Sequence, residues 1–349
     1  MGFCKVIKPG LFTTIQDRGR FGYQQSGMPV AGAMDEFALR VGNILVGNPE
    51  GESCLEITLL GPTLEFLSQG LIALTGGDLG AQLNGKELPL WEACEVKAGD
   101  ILKFTGVKKG CRAYLAVAGG FNAPAVMGSK ATYVRGTIGG LEGRTLREGD
   151  ILEKGPSNSA GLAGRKVPQD DIYTLSNHIT LRVVLGPQAE AFTAEGINTF
   201  LTSSYTVTNE ADRMGYRLEG EKIQHQKGAD IISDGIVMGS VQVPGHGMPI
   251  VMMADRQTTG GYTKIATVIT PDLPLLAQAK PGDKVSFRSV SIDEAHSIYR
   301  IYEEKIAALK RTLRSSVPQD KSSVPKGPKR TLKLLVNGKE YLVDVEEVQ

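Results

Sequence analysis

Apolar residues along this chain fall mostly into short runs that glycine or proline closes. Cys111–Ala118 and Thr180–Leu185 are two such runs, rich in Val and Leu, and each predicts a strand. Gly247–Ala254 is apolar through Ile250, Val251, Met252 and Met253, which predicts a buried strand. Helical spacing is rarer. Ala33–Val46 carries it, with Asp35 near the start and Gly47-Asn48-Pro49 as a stop. Ile292–Leu313 carries it too, through Ala295, Ile298, Ile301, Tyr302 and Ile306. The pattern predicts a mainly β protein with a few helices, built as barrels or sandwiches.

The polar stretches divide the chain. Residues 1–155 form a first globular half, and 173–311 a second that ends in the long helix. Between them, 156–172 is rich in Gly, Ser, Pro and charge and reads as a linker. Residues 312–330 are mainly Ser, Pro, Lys and Arg, the composition of a disordered tether. Beyond it, 331–349 places Asn337-Gly338 between two alternating runs, a hairpin signal. A faint echo also runs through the chain. "GDILKF" at Gly99, "EGDILE" at Glu148 and "PGDKVSF" at Pro281 each set a Gly-Asp turn before a strand.

Composition narrows the function classes. The net charge of +1 over 349 residues gives no footprint for nucleic acid or an anionic membrane surface. No apolar run is long enough to span a bilayer, and Met1–Lys5 has neither secretory nor transit character, so a cytoplasmic setting is expected. Cys4, Cys54, Cys94 and Cys111 show no metal-ligand spacing and read as reduced, buried thiols. With four histidines, no metal site is expected. A phosphate loop and a G-x-S-x-G elbow are both missing from the sequence.

The candidate chemistry follows the strand near position 250. Asp255-Arg256-Gln257-Thr258-Thr259-Gly260-Gly261-Tyr262 gathers an anion, a cation, an amide, two hydroxyls and a phenol at a strand end. Just upstream, a Pro-Gly loop holds Gln242 and His246. Two further Asp-Arg pairs stand near glycine, Asp17-Arg18 and Asp212-Arg213. Arg presents paired donors to planar anions, and Asp can orient it or act as a base. The alternative is structural, with buried Asp-Arg pairs pinning the corners of a barrel.

The segments "TTIQDRGRFGY", "GAMDEFALRVGNILVGN", "LEITLLGPTLEF", "YLAVAGGF", "GSKATYVRG", "DRMGYRL" and "VQVPGHGMPIVMMADRQTTGGYTKIATVI", in this order, resemble the allophanate hydrolase subunit 2 family over roughly the first three hundred positions. The resemblance implies two cyclophilin-like β-barrel domains and a separate subunit-1-type (Kip inhibitor-like) partner. It implies one of three roles. The first is a subunit of an ATP-dependent 5-oxoprolinase, with ATP bound mainly by partners that include a lactam-utilisation-type subunit. The second is the carboxyltransferase half of a biotin-dependent carboxylase acting on urea or a related amide, served by a biotin carboxylase and by biotin on a separate carrier. The third is a non-catalytic antagonist of a kinase inhibitor. The C-terminal hairpin looks like the opening of a biotinyl carrier domain, without the biotin-accepting lysine. In the enzyme readings Asp255, Arg256 and Tyr262 are the catalytic candidates. Substrate contacts fall to Gln242, His246, Gln257, Thr258, Thr259, Arg213, Asp212 and Asp17.

Overall fold

The computed structural model describes residues 2–315, 330–336 and 339–345. Met1–Arg314 form one compact unit and Ser315–Gln349 another. Strands dominate the first unit, as the short apolar runs predict. The run at Cys111–Ala118 becomes the strand Lys109–Val117, and Thr180–Leu185 lies within the strand His178–Leu185.

Up to Leu152 the chain builds two sheets. One has six strands, with Cys4–Lys8 between Ile151–Leu152 and Thr63–Phe66. The other has five, with Lys109–Val117 central between Cys54–Thr58 and Gly70–Asp78. Both sheets bury their apolar faces in one core, which holds Val6, Phe66 and Leu102 from the first and Ile57, Leu74 and Leu115 from the second. The second half closes completely. Its seven strands form a barrel in which His178–Leu185 runs parallel to Lys284–Ser289, the pairing that seals the ring. Outside that ring, Asp230–Gly235 pairs with Thr259–Tyr262 as a separate two-stranded ribbon.

The first half of the sequence also reaches into the barrel's core. Met34 is fully buried there among Tyr216, Val251, Met253 and Leu273. Met34 immediately precedes Asp35, the N-cap of helix α1 (Glu36–Leu45), whose carboxylate accepts the Ala38 N–H at 2.9 Å. Helix α2 (Ala194–Thr202) is capped the same way by Thr193. Helix α3 (Leu273–Ala277) is short, and α4 (Ile292–Ser315) is the long amphipathic one. Ion pairs strap α4 to the first half. Arg40 of α1 reaches Glu303 at 2.6 Å, and Lys310 reaches Glu50 at 2.6 Å.

The Gly155–Ile172 segment packs along the first half. Leu162, Arg165 and Val167 are buried, the Ala93 N–H donates to the Arg165 carbonyl, and the Val167 N–H donates to that of Trp91. Its polar composition conceals three inward residues. Helix α4 continues to Ser315, four residues beyond the expected boundary at 311, because Leu313 still falls on its buried face. The remainder of the expected tether, 316–329, and the Asn337-Gly338 turn lie outside the described residues. Arg330–Val336 and Lys339–Val345 pair antiparallel, ending at Val336 opposite Lys339, as the alternation around Asn337-Gly338 predicts.

No helix among the described residues is long and apolar enough to cross a membrane. All four cysteines are unpaired thiols, and burial pushes Cys4 up to about 12.

Candidate active site at the seam of the two halves

None of the three Asp-Arg dipeptides pairs with itself. Arg213 donates to Asp255, from Nε and Nη2 at 2.9 Å each, so the second and third dipeptides join across 42 positions of sequence. Its Nη1 donates to Glu56 of the strand Cys54–Thr58, and Nη2 also donates to the Gly32 carbonyl at 2.7 Å. Glu56 is fully buried and accepts from the Met34 N–H at 2.8 Å and the Tyr114 hydroxyl at 2.7 Å. Burial alone would raise the Glu56 pKa, but the Arg213 and Arg112 charges hold it below the ordinary carboxylate value. Arg213 is raised in turn, since Asp255 and Glu56 outweigh the burial that would lower it.

The network continues beneath α1. Asp35 accepts from the Tyr173 hydroxyl and from Gln278 Nε2 at 2.8 Å. Gln278 Oε1 in turn accepts from the backbone N–H groups of Cys111 and Arg112. Arg112 Nη1 donates to the Tyr216 hydroxyl and the Ala277 carbonyl, both at 2.6 Å. Polar side chains from both halves thus interlock in a buried layer between them.

Asp255 and Arg256 are each 7% exposed, and each opens onto a different cavity. The two sit in the turn that follows the strand Ile250–Met252, closed by the Arg256 N–H on the Met253 carbonyl at 3.2 Å. Arg256 lines a cavity of about 180 Å³ with Arg18, Met34, Met238, Leu273 and Tyr302. Among the described residues its guanidinium donates only to backbone carbonyls, Nε to Ile236 at 3.2 Å and Nη1 to Met253 at 3.1 Å. Among the described residues no carboxylate lies within ion-pair distance of it. Burial without a counter-charge pushes Arg256 down to about 10, so it stays cationic at neutral pH. Arg18 completes the cavity wall, but its charge is tied to Glu36 at 2.6 Å. Asp255 lines the second cavity, about 270 Å³, with Phe12, Thr58, Arg112 and Met214.

The other predicted residues lie apart from the Arg256 cavity. Asp17 accepts from the Gly19 and Lys130 N–H groups and the Ser129 hydroxyl, tying down a loop. Asp212 accepts from Met214 N–H and Gly215 N–H in its own turn and faces Arg135 at 3.3 Å. Exposed His246 accepts from the Met248 N–H, a local turn contact. Thr259 and Tyr262 lie on the ribbon outside the barrel, with Tyr262 41% exposed. Thr258 offers its carbonyl to the Ile236 N–H, and Gln257 is exposed. Gln242 is buried, and its Nε2 has no hydrogen-bond partner among the described residues. Gly260 makes room for it, since a Cβ there would meet Gln242 Nε2 at 2.9 Å and Ile236 Cδ1 at 2.6 Å.

Sequence reading alone passes over Glu56, Asp35, Tyr114, Tyr173, Gln278 and Arg112. Glu56 carries a signal, a carboxylate between Leu55 and Ile57 in an otherwise apolar run. Asp35 stands out in the sequence only as a helix start, although its other carboxylate oxygen serves the seam.

The barrel-bearing β fold thus carries a buried ionic seam and, among its cavities, one that presents an arginine without an ion-pair partner; kinship supplies the class, an enzyme component of the carboxyltransferase-domain family. The chain belongs to the family of the carboxyltransferase domain, subdomains A and B, which matches residues 26–289. It is 41% identical to the C-type subunit of 5-oxoprolinase from Escherichia coli over 291 residues, 83% of this chain and 92% of that protein. It is 31% identical to urea amidolyase of Saccharomyces cerevisiae over 326 residues, 88% of this chain but only 18% of that enzyme. Among solved structures, K. lactis urea amidolyase superposes with a TM-score of 0.84 at 31% identity, over 88% of this chain and 20% of that one. Kluyveromyces lactis urea carboxylase gives 0.82 at 30% identity, over 99% of this chain and 32% of that one. The chain spans nearly the whole of its bacterial relative and about a fifth to a third of the yeast enzymes.

Proposed function

We propose that this chain is the C-type subunit of an ATP-dependent 5-oxoprolinase, which opens 5-oxoproline to glutamate with a subunit-1-type partner. The observation that carries the reading is the end-to-end likeness to the bacterial relative, 41% identity over 92% of its length. Arg256 is the residue proposed to hold the substrate. A buried guanidinium without an ion-pair partner, facing a cavity whose lining carboxylate Glu36 is already paired with Arg18, suits a carboxylate-bearing ligand. Met34, Met238 and Leu273 offer apolar walls to a five-membered ring and exclude water around it. Asp255 is a positioning residue in this scheme, holding Arg213 and through it the seam.

ATP supplies the driving force for lactam opening, and this chain's donor set is a poor match for a triphosphate. The sequence lacks a phosphate loop, and Arg256 has beside it only Arg18, already neutralised by Glu36. ATP is therefore assigned to partner subunits. The assay is glutamate release from labelled 5-oxoproline by the complete assembly. Arg256→Met is expected to lower kcat/KM by roughly 100-fold, the effect of removing one partner of a buried charge pair. If the complete assembly makes no ATP-dependent glutamate, the reading fails. Undiminished turnover by Arg256→Met would instead move the substrate out of this cavity.

A second reading, carboxyl transfer from carboxybiotin to urea or a related amide, is favoured by one specific observation. The alignment with Kluyveromyces lactis urea carboxylase takes in 99% of the chain, the C-terminal hairpin included. The Arg256 cavity fits a ureido group as well, since the guanidinium would hold its carbonyl oxygen and the apolar walls its ring system. Carboxybiotin would supply the activated carboxyl group from a separate carrier. Carboxylation of urea with a biotin carboxylase and carrier, and no glutamate formation, would favour this role over the first.

A further inference from the structure

The guanidinium of Arg256 has one long-range anchor. Its Nη1 bond to Met253 stays within its own turn, but its Nε donates to the Ile236 carbonyl, 20 positions earlier in the chain. The Ile236 N–H in turn donates to the Thr258 carbonyl at 2.9 Å. Residues 256–258 are thus clasped at two points by one residue, which directly follows the ribbon strand Asp230–Gly235. The aim of Arg256 depends on where that strand is held.

Apolar burial does little to hold it. Within Asp230–Gly235 only Ile231 is even half-buried, and Ile232 is 95% exposed. Two polar side chains of the barrel wall reach the ribbon, one for each of its strands. Gln242 and Lys264 are register partners on the neighbouring barrel strands Ser240–Gln242 and Lys264–Val268. Gln242 abuts Gly260, where a Cβ would come within 2.9 Å of its amide nitrogen. Lys264 donates from Nζ to Asp234 at 2.8 Å. Its side chain is 2% exposed, against 52% for that of Asp234. Gln188 braces the pair, donating from Nε2 to Asp234 at 3.1 Å and accepting the Lys264 N–H on Oε1 at 3.1 Å.

Packing of the barrel gives no reason for an ammonium there. A buried charge is costly unless paired, and an apolar side chain of similar length would fill the space without that cost. What the charge adds is a directional, charge-assisted bond to the ribbon, two residues before Ile236. Among the described residues Asp234 is the only carboxylate at ion-pair distance from Lys264.

We infer that Lys264 is a positioning residue for Arg256: through Asp234 it fixes the ribbon whose root, Ile236, aims the guanidinium into its cavity. Its effect on turnover rests on the reading of Arg256 as the substrate's anchor, and two readouts separate the two ideas. In the complete assembly, Lys264→Met is expected to raise KM for 5-oxoproline about tenfold and to leave kcat within about twofold, because a misaimed guanidinium weakens binding while ATP is handled by the partners. Asp234→Ala should raise KM as well. The double variant, which leaves no unpaired charge, should be no worse than Lys264→Met, since both changes remove one bond. In the full-length chain labelled with 15N-arginine, the Arg256 Nε–H signal, assigned with Arg256→Met, should exchange with solvent at least tenfold faster in Lys264→Met than in the parent. Unchanged exchange in a folded Lys264→Met overturns the inference, as do losses that add in the double variant. Parent-like KM in Lys264→Met also overturns it where Arg256→Met is impaired. Where Arg256→Met is equally unimpaired, the substrate reading has failed, and the exchange rate alone decides the inference.

Discussion

Arg213 is the residue on which most of the seam converges. It bonds Asp255, Glu56 and the Gly32 carbonyl, and is itself 6% exposed. Removing it strands two carboxylates in a buried layer. Arg213→Met is expected to cost about 3–5 kcal/mol in urea denaturation at neutral pH. The loss should shrink in acid, where Glu56, without the Arg213 charge that helps hold its pKa down, can take up a proton. Asp35 makes a different prediction. Burial, only partly offset by its bonds to Tyr173, Ala38 and Gln278, raises its pKa from the ordinary 3.8 to about 6. The folded state therefore holds the proton more tightly than the unfolded one. Its contribution favours folding below pH 4 and is lost as pH rises through 6. Relative to Asp35→Asn, the parent should gain about 1 kcal/mol of stability between pH 7 and pH 5. Parallel pH profiles for the two proteins would remove the assignment.

At the scale of elements, the three Gly-Asp turns prove to be one structure used three times. In each, the Asp carboxylate accepts the N–H three residues earlier, from Lys97, Arg147 and Lys280 to Asp100, Asp150 and Asp283. The preceding glycines Gly99, Gly149 and Gly282 share φ values of 89°, 88° and 91°. A Cβ at any of them would meet nothing within 4 Å, so only backbone strain opposes a side chain. Alanine at each should cost about 1–2 kcal/mol, the same within error, in thermal or urea unfolding. Unequal costs would mean that packing, and not φ, selects the glycine. Helix α4 shows the same legibility with one exception. Ala295, Ile298, Tyr302 and Ile306 keep to its inner side, but Ile301 is 65% exposed. Apolar spacing marks a face, and Ile301 is one position off it.

For the whole molecule, the buried layer makes the two halves depend on each other. Arg213 to Glu56, Arg112 to Tyr216 and Gln278 to Asp35 all cross between them, and Met34 completes the barrel's core. One cooperative transition is expected when fluorescence and circular dichroism follow urea unfolding, since neither half can keep its buried charges paired alone. Two separated transitions would show that the seam couples weakly.

The strands, the helices α1 and α4 and the hairpin are set by local spacing, because an inward face must recur every second residue in a strand and at 3.6-residue spacing in a helix. Family kinship, too, is written in ordered motifs that need no coordinates. The pairing of charges is not. Asp17-Arg18, Asp212-Arg213 and Asp255-Arg256 suggest three local ion pairs, yet a folded backbone sends adjacent side chains apart. Arg213 is matched to Asp255 and Glu56, residues 42 and 157 positions away. Only tertiary structure decided that Arg256 would face a cavity without an ion-pair partner, because that depends on which distant carboxylates the fold had already brought to other partners.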